Sequence, residues 1–222
     1  MKHPKKDFAV IGLGRFGGSL CRELTSSGVQ VMAIDKDIER VQEFNTIVSD
    51  AVELDATDEE ALKSMGIRNF DYVVVSIGED IQSSILITLV LKEMGIKQVW
   101  VKARNEYHEK VLEKIGADRV IHPERDMARR IAHHIGNDAV TDYIELSREY
   151  SIVELVVSKK LAGKKLMDLD IRDNFHCSIV AVKKNNENII ITPSMDVTLK
   201  QGDIIVTIGK NSDIAEFEEK RV

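Results

Sequence analysis

A glycine-rich turn near the start of the chain constrains the fold more than any other feature of the sequence. The turn is Gly12-Leu13-Gly14-Arg15-Phe16-Gly17, and it follows the apolar run Phe8 to Ile11 and precedes a helical pattern. In a Rossmann-type fold the first glycine permits a tight turn, the second lets the backbone approach a phosphate, and the third lets helix and strand pack closely. The helix N-terminus offers unpaired N–H groups and a positive dipole to that phosphate. The turn therefore predicts a nucleotide site on an α/β fold.

A carboxylate stands where a nucleotide site of this type needs one. Asp35 ends the second apolar run, about 20 residues after the turn. There it can accept hydrogen bonds from both hydroxyls of an adenosine ribose, and it disfavours the 2′-phosphate of NADP. The turn and the acid do not distinguish ATP or ADP from NAD(H), so these ligands remain alternatives. A glycine-rich turn without a ligand is the structural alternative to both.

The first half of the chain alternates short apolar runs with longer helical patterns, which is typical of a parallel sheet covered by helices. The predicted strands are Phe8 to Ile11, Val29 to Ile34, Ala51 to Leu54, Tyr72 to Ile77, Val99 to Lys102 and Arg119 to His122. The predicted helices are Gly17 to Ser27, Asp37 to Asn45, Asp58 to Met65, Asp80 to Met94 and Tyr107 to Ile115. We therefore predict an α/β fold class, with a Rossmann-like doubly wound parallel sheet over residues 1–123.

The second half of the chain begins with a helix and then becomes strand-rich. Residues 124–140 are predicted as a crossover helix and linker, with Met127, Ile131 and Ile135 spaced as one apolar stripe. This stripe fits either a dimer-forming surface or packing within the chain. Residues 141–222 are predicted as a small α+β domain, with strands Tyr143 to Leu146, Ile152 to Val157, Ile179 to Val182, Ile189 to Thr192 and Ile204 to Ile208 and helical pieces Leu166 to Leu169 and Ile214 to Glu219.

Charge and cysteine content exclude several classes of function. The net charge is -6, whereas a nucleic-acid surface needs clustered Lys and Arg, so we predict no nucleic-acid partner. Cys21 and Cys177 belong to no metal or Cys-x-x-Cys pattern, which indicates buried thiols in a reducing compartment. No apolar stretch approaches the roughly 20 residues of a membrane-spanning helix. We therefore predict a cytoplasmic protein whose membrane role comes through a partner.

The sequence also contains no evident set of catalytic groups. A hydride-transfer enzyme needs an acid or base and a substrate anchor in its second domain, where His176 is the sole histidine. We therefore predict a protein that binds a nucleotide and is not an enzyme. An NAD(H)-binding redox sensor or oxidoreductase is the alternative. A transcription factor with a winged-helix module is a weaker one, because the second half is acidic and rich in strands.

Three segments of the sequence together resemble one family. They are Phe8-Ala9-Val10-Ile11-Gly12-Leu13-Gly14-Arg15-Phe16-Gly17-Gly18, Leu112-Glu113-Lys114-Ile115-Gly116-Ala117-Asp118 and His122-Pro123-Glu124. They are similar to the cytosolic gating subunit of bacterial Ktr-type potassium uptake systems, in which an N-terminal and a C-terminal RCK (regulating conductance of potassium) domain follow one another. The resemblance covers essentially the whole chain. It implies a homo-octameric gating ring, a tetramer of dimers, that lies at the inner face of the membrane under a potassium-translocating subunit.

The resemblance also implies how the ring responds to nucleotides. ATP and ADP would compete for the Rossmann site and favour different ring shapes, and so control potassium flux. Arg15 would reach the γ-phosphate of a nucleotide bound in a neighbouring subunit. Glu124 would lie near that phosphate and could hold it through a Mg²⁺ ion.

The remaining residues of the implied nucleotide pocket follow the carboxyl ends of the strands. Asp35 would hold the ribose, and Asp55 and Ala56 would lie at the adenine. Asp55 and Thr57 fit equally well as caps of the helix that begins at Asp58. The full predicted set is Gly12, Gly14, Arg15, Phe16, Gly17, Asp35, Lys36, Asp37, Asp55, Ala56, Ile77, Gly78, Glu79, Lys102, Ala103, Arg104, His108 and Glu124.

A second ligand is implied for the C-terminal domain. Related subunits bind cyclic di-AMP there at a dimer interface, which would shut potassium uptake. The matching residues are Leu166, Ile171, Arg172, Ile179 and Pro193. Arg172 would meet a phosphate, and the apolar residues would hold the adenines. A small β-rich module with a surface arginine and no ligand is the alternative.

Overall fold

The structure is a computed structural model that describes residues 6–136, 140–147, 149–185 and 188–221. The chain divides into two compact units, Met1–Pro123 and Glu124–Val222. Each unit has buried apolar residues of its own, and the two units are described separately below.

The first unit is a six-stranded parallel sheet with helices between successive strands. The strand order is β3-β2-β1-β4-β5-β6, which confirms the predicted Rossmann-like doubly wound sheet. Its strands are β1 (Phe8–Ile11), β2 (Val31–Asp35), β3 (Asp50–Glu53), β4 (Tyr72–Val75), β5 (Gln98–Lys102) and β6 (Arg119–Ile121). Its helices are α1 (Arg15–Ser26), α2 (Ile38–Phe44), α3 (Glu59–Ser64), α4 (Ile81–Glu93) and α5 (Glu106–Lys114), with a 3-10 helix at Ile67–Asn69.

The two central strands, β1 and β4, contain only hydrophobic residues because both faces of the sheet are covered by helices. Val10 of β1 and Val74 of β4 point into one core. Their neighbours Ala9, Ile11, Val73 and Val75, together with Val99 and Val101 of β5, point into the other. Since the strands run in parallel, their carboxyl ends, and the loops that follow them, meet at one edge of the sheet.

The second unit is built on a five-stranded antiparallel sheet, which confirms the predicted small α+β class. The strand order is β10-β9-β11-β8-β7. The strands are β7 (Val140–Glu145), β8 (Tyr150–Val156), β9 (Ser178–Lys183), β10 (Ile189–Ile191) and β11 (Ile204–Lys210). The helices are α6 (Pro123–Ile135), α7 (Ile171–Phe175) and α8 (Asn211–Arg221), with a 3-10 helix at Leu166–Leu169.

Two elements of the second unit differ from the prediction. Strand β7 begins at Val140, inside the predicted linker, because Val140 is buried and pairs with Leu155 across a register shift. Helix α7 was missed because it spans five residues and is bounded by Asp170 and His176, non-glycine residues with φ of 48° and 52°. Neither residue type marks a left-handed helix boundary in a sequence as glycine does.

The apolar stripe of α6 is exposed in the single chain. Met127, Ile131 and Ile135 have exposed fractions of 51%, 47% and 75%. Packing of this stripe within the chain, one of the two predicted alternatives, is therefore wrong. Dimer formation through the stripe stays a prediction. Within the described ranges, no helix has both the length and the apolar character that crossing a membrane requires.

Candidate functional site

A cleft of about 400 Å³ opens at the carboxyl edge of the parallel sheet. It lies beside the point between β1 and β4 where the strand order reverses, which is where doubly wound folds bind ligands. The predicted site residues that line it are Gly12, Gly14, Arg15, Phe16, Asp35, Lys36, Asp55, Ala56, Ile77, Gly78, Glu79 and Lys102. Lining residues outside the predicted set are Ile11, Arg40, Leu54, Thr57, Ser76, Asp80, Ser83 and Ile87.

The structural reason for glycine differs among the three glycine positions of the turn. Gly12 has φ of +94°, and a Cβ there would lie 3.0 Å from the Ser76 carbonyl oxygen. A Cβ on Gly17 would lie 2.0 Å from the Gly12 carbonyl oxygen, so α1 packs on the turn as closely as a glycine allows. Gly14 has an ordinary φ of -64° and its nearest neighbour is Arg40. The protein itself does not require glycine at position 14, which leaves that space for a ligand.

Helix α1 begins differently from the other helices around the sheet. Helices α2, α3, α4 and α5 each start at a side chain that accepts backbone N–H groups, namely Asp37, Asp58, Asp80 and Asn105. Helix α1 starts at Gly14, which has no side chain to do so, and its first turn contains no acid. Its N–H groups and positive dipole therefore face the cleft without a local anion, as an anion-binding helix end requires.

Asp35 is held rigidly at the edge of the cleft. Its side chain is 7% exposed, its Oδ2 accepts the Leu13 N–H at 2.6 Å, and its Oδ1 accepts the Asp37 N–H at 3.0 Å. These bonds tie the end of β2 to the glycine turn and fix the carboxylate plane. Each carboxylate oxygen retains acceptor capacity. The arrangement can therefore accept the two hydroxyls of a ribose.

Two carboxylates that line the cleft accept hydrogen bonds from their own loops. The Thr57 hydroxyl and N–H both donate to Asp55, at 2.6 and 3.0 Å, and these bonds hold the pKa of that carboxyl below its usual value. The Ser83 hydroxyl and N–H both donate to Asp80, and these bonds hold the pKa of the Asp80 carboxyl below its usual value. Asp58 caps α3 by itself, so Asp55 and Thr57 are not its cap.

Several predicted residues support the cleft without lining it. Asp37 caps α2, and Ala103 is buried. The Arg104 Nη1 donates a hydrogen bond to the Glu79 carbonyl oxygen at 3.0 Å and so stabilises the loop after β4. His108 is 2% exposed, and its Nδ1 accepts the Arg104 N–H at 3.2 Å. We therefore assign Arg104 and His108 to positioning of the cleft wall.

We expect the free energy of unfolding of the first unit to fall as the pH drops below about 6.5, the pKa of an unperturbed histidine. Burial lowers the pKa of His108, and the charge of nearby His122 acts in the same direction. The unfolded chain therefore binds a proton at a pH where folded His108 stays neutral, and stability rises with pH wherever the unfolded state binds more protons. Urea unfolding followed through Trp100, the single tryptophan, measures this slope.

Two variants isolate the contribution of His108. His108→Asn keeps an acceptor for the Arg104 N–H and removes the titrating ring, so the pH slope should flatten. His176→Asn replaces an exposed histidine of the second unit and should leave the slope unchanged. A slope that persists in His108→Asn would show that another group is responsible.

Glu124 and the residues assigned to cyclic di-AMP lie in the second unit. Glu124 is the second residue of α6, and its approach to a phosphate stays a prediction. Among the described side chains, no three His, Cys, Asp or Glu groups come together as a metal site. Leu166 and Ile171 are buried in the core of this unit, whereas Arg172 is exposed and Ile179 and Pro193 are half-buried. In the single chain, Leu166 and Ile171 are therefore core residues, and their contact with a ligand stays a prediction.

Two domain families match the chain. The TrkA-N domain matches residues 8–123, and the TrkA-C domain matches residues 150–221. The Ktr system potassium uptake protein C of Bacillus subtilis (strain 168) is 55% identical over 216 residues, which cover 97% of each chain. The Ktr system potassium uptake protein A of the same organism is 49% identical over 215 residues, which cover 97% of this chain and 96% of that protein.

A solved structure supports the fold. The GsuK channel bound to NAD matches with a TM-score of 0.69 and 18% sequence identity. The match covers 98% of this chain and 40% of that chain. At this level of identity the likeness concerns the fold and carries no information about the ligand of this chain.

Proposed function

The chain belongs to the family of Ktr system potassium uptake proteins, with a TrkA-N and a TrkA-C domain, and on this basis we propose that it is the regulatory subunit of a potassium uptake system. ATP or ADP binds in the cleft of the first unit and sets the conformation of the assembly. The observation that carries this proposal is the pairing of an uncapped α1 with a rigid, buried Asp35 across one cleft. One end suits phosphates and the other a ribose.

The subunit binds its nucleotide without chemical conversion. Asp55 and Asp80 are locked as carboxylates by donors of their own loops, and their pKa values lie below the usual range. Carboxylates fixed by donors of their own loops suit recognition of polar groups on a ligand.

Arg15 gives the cleft a way to distinguish ATP from ADP. It is the first residue of α1, is exposed, and lines the cleft of its own chain. In the assembly its guanidinium reaches the γ-phosphate in a neighbouring subunit, with Glu124 holding a Mg²⁺ ion at the same phosphate. A contact that exists with ATP and not with ADP supplies the differential affinity that shifts a conformational equilibrium.

The assembly is a homo-octameric ring, a tetramer of dimers, beneath a membrane potassium-translocating subunit. The exposed stripe of Met127, Ile131 and Ile135 supplies an apolar surface for pairing of two subunits. The protein is thus cytoplasmic and reaches the inner face of the membrane through its partner. Exposed Arg172, with Ile179 and Pro193, forms the surface for cyclic di-AMP, which inhibits uptake.

We expect Arg15→Ala to lower the affinity for ATP about 10- to 100-fold and the affinity for ADP much less, since one charge-assisted contact to the third phosphate is lost. Calorimetric titration of the full chain with ATP, ADP, NAD and NADH, with and without Mg²⁺, measures these affinities. Native mass spectrometry of the same samples reports the assembly state.

Arg22→Ala is the matched control for this titration. Arg22 lies on the same helix and pairs with Glu43 outside the cleft, so its removal should leave both affinities unchanged. Equal losses for ATP and ADP in Arg15→Ala would mean that Arg15 does not sense the third phosphate. Tight NADH binding with weak ATP binding would instead favour the NAD(H) redox sensor or oxidoreductase.

A further inference from the structure

Arg40 lies beside both Asp35 and the glycine turn, which adjoin each other in the cleft. It lies on α2 and lines the cleft, and its side chain is 50% exposed. Its Nη1 lies 3.6 Å from Asp35 Oδ2, and its Nε lies 3.5 Å from Asp37 Oδ2. A Cβ on Gly14 would lie 3.8 Å from the same Nη1. The guanidinium therefore stands between the carboxylate that suits a ribose and the turn that suits a phosphate.

The contacts of Arg40 are looser than those of its neighbours. Asp35 accepts backbone N–H groups at 2.6 and 3.0 Å, whereas both Arg40 distances exceed the upper limit of about 3.2 Å for a good N–H···O bond. A half-exposed ion pair of this kind contributes little to stability. The guanidinium can thus leave Asp35 without breaking a strong hydrogen bond.

We propose that Arg40 is a specificity-determining residue that recognises the 5′-phosphates of the bound nucleotide. In the structure its guanidinium lies next to the Asp35 carboxylate. A bound ribose takes over that carboxylate through its hydroxyls, and the guanidinium turns to the phosphate above Gly14. Its fork of N–H groups matches phosphate oxygens in geometry and charge. The cleft consequently binds nucleotides more tightly than the corresponding nucleoside.

This role differs from that of Arg15. Arg15 responds to a third phosphate, whereas Arg40 acts on the phosphates next to the ribose, which ATP, ADP and NAD share. The inference rests on the proposed function in one respect, namely that the cleft binds an adenine nucleotide. It does not depend on which nucleotide is preferred or on the assembly state.

The test compares adenosine, AMP and ADP as competitors of a fluorescent ADP analogue on the full chain. We expect Arg40→Ala to lower the affinity for ADP about 10-fold and to leave the affinity for adenosine unchanged or higher, because the guanidinium no longer competes for Asp35. Arg40→Lys should restore part of the ADP affinity through its charge. Arg22→Ala is the control: Arg22 lies on α1 and pairs with Glu43, which lies on α2 like Arg40. Its removal should change neither the ADP affinity nor the adenosine affinity. Urea unfolding through Trp100 verifies that each variant is folded.

Each outcome supports or overturns the inference. Equal losses of adenosine and ADP affinity in Arg40→Ala would show that Arg40 merely positions Asp35, and an ADP loss below about threefold would show no role in phosphate binding. With NADP added as a fourth competitor, a loss confined to NADP would place the guanidinium at a 2′-phosphate and overturn the assignment to 5′-phosphates. If the unaltered protein binds neither ADP, ATP nor NAD, the proposed function itself fails, which the first titration distinguishes from failure of the Arg40 inference.

Discussion

Gly17→Ala is expected to lower the free energy of unfolding of the first unit by about 3 kcal/mol or more. The added Cβ would lie 2.0 Å from the Gly12 carbonyl oxygen and 3.0 Å from the Ser76 hydroxyl. The first of these atoms is backbone in a tight turn, so it cannot rotate away as a flexible side chain would. Relief requires α1 to move off the sheet, which opens a core centred on Val10, Leu13 and Cys21. Urea unfolding through Trp100 measures the loss.

Gly14→Ala is the matched control, because it adds the same methyl group three residues earlier. Position 14 has an ordinary φ, and its Cβ would lie 3.8 Å from Arg40. The free energy of unfolding of this variant should lie within about 0.5 kcal/mol of that of the unaltered protein, as is usual for surface substitutions. It should nevertheless lose nucleotide affinity, since the methyl group occupies the space of the phosphate. Equal stability of both variants would contradict the packing role of Gly17.

Asp35→Asn is expected to lower nucleotide affinity at least about 100-fold, because a neutral amide replaces the charged acceptor for both ribose hydroxyls. It should also lower the free energy of unfolding by about 1–3 kcal/mol. Both carboxylate oxygens accept backbone N–H groups, from Leu13 and Asp37, so an amide must turn its own NH₂ toward one of these donors. Calorimetry gives the affinity and urea unfolding the stability.

Asp50→Asn controls for the change of charge. Asp50 is exposed on β3, the neighbour of β2, and lies outside the cleft. Its substitution should leave the nucleotide affinity and the free energy of unfolding equal, within experimental error, to those of the unaltered protein. If Asp35→Asn lost stability and kept its nucleotide affinity, Asp35 would be a residue that fixes the turn and does not contact the ribose.

The placement of the turn, the strands and Asp35 could be predicted because each depends on local chemistry. Gly12 and Gly17 are required by backbone geometry within one strand-turn-helix unit. Asp35 is the last residue of β2, whose partner is β1, so the distance along the chain already fixes its place near the turn. Residues with strong local signals of this kind were found from their spacing alone.

Arg40 was missed because no local signal marks it. Arg40 reaches the cleft through the angle at which α2 packs on the sheet, and nothing in the sequence around it differs from an ordinary exposed helix residue. Ser76 follows β4 and could have been found by including every residue at the carboxyl end of a strand. The short helix α7 lacks both a glycine boundary and a helical repeat long enough to recognise.

The sequence by itself determined the class of the fold, the position of the glycine-rich turn and the position of Asp35 beside it. These follow from hydrophobic periodicity and from backbone conformations that glycine alone adopts easily. The tertiary structure decided which side chains surround the cleft, that Arg40 lies beside Asp35 and Gly14, and that the stripe of α6 is exposed in the single chain. The physical reason is that these contacts join residues whose distance depends on how whole helices pack, and packing is a property of the assembled core and not of any one segment.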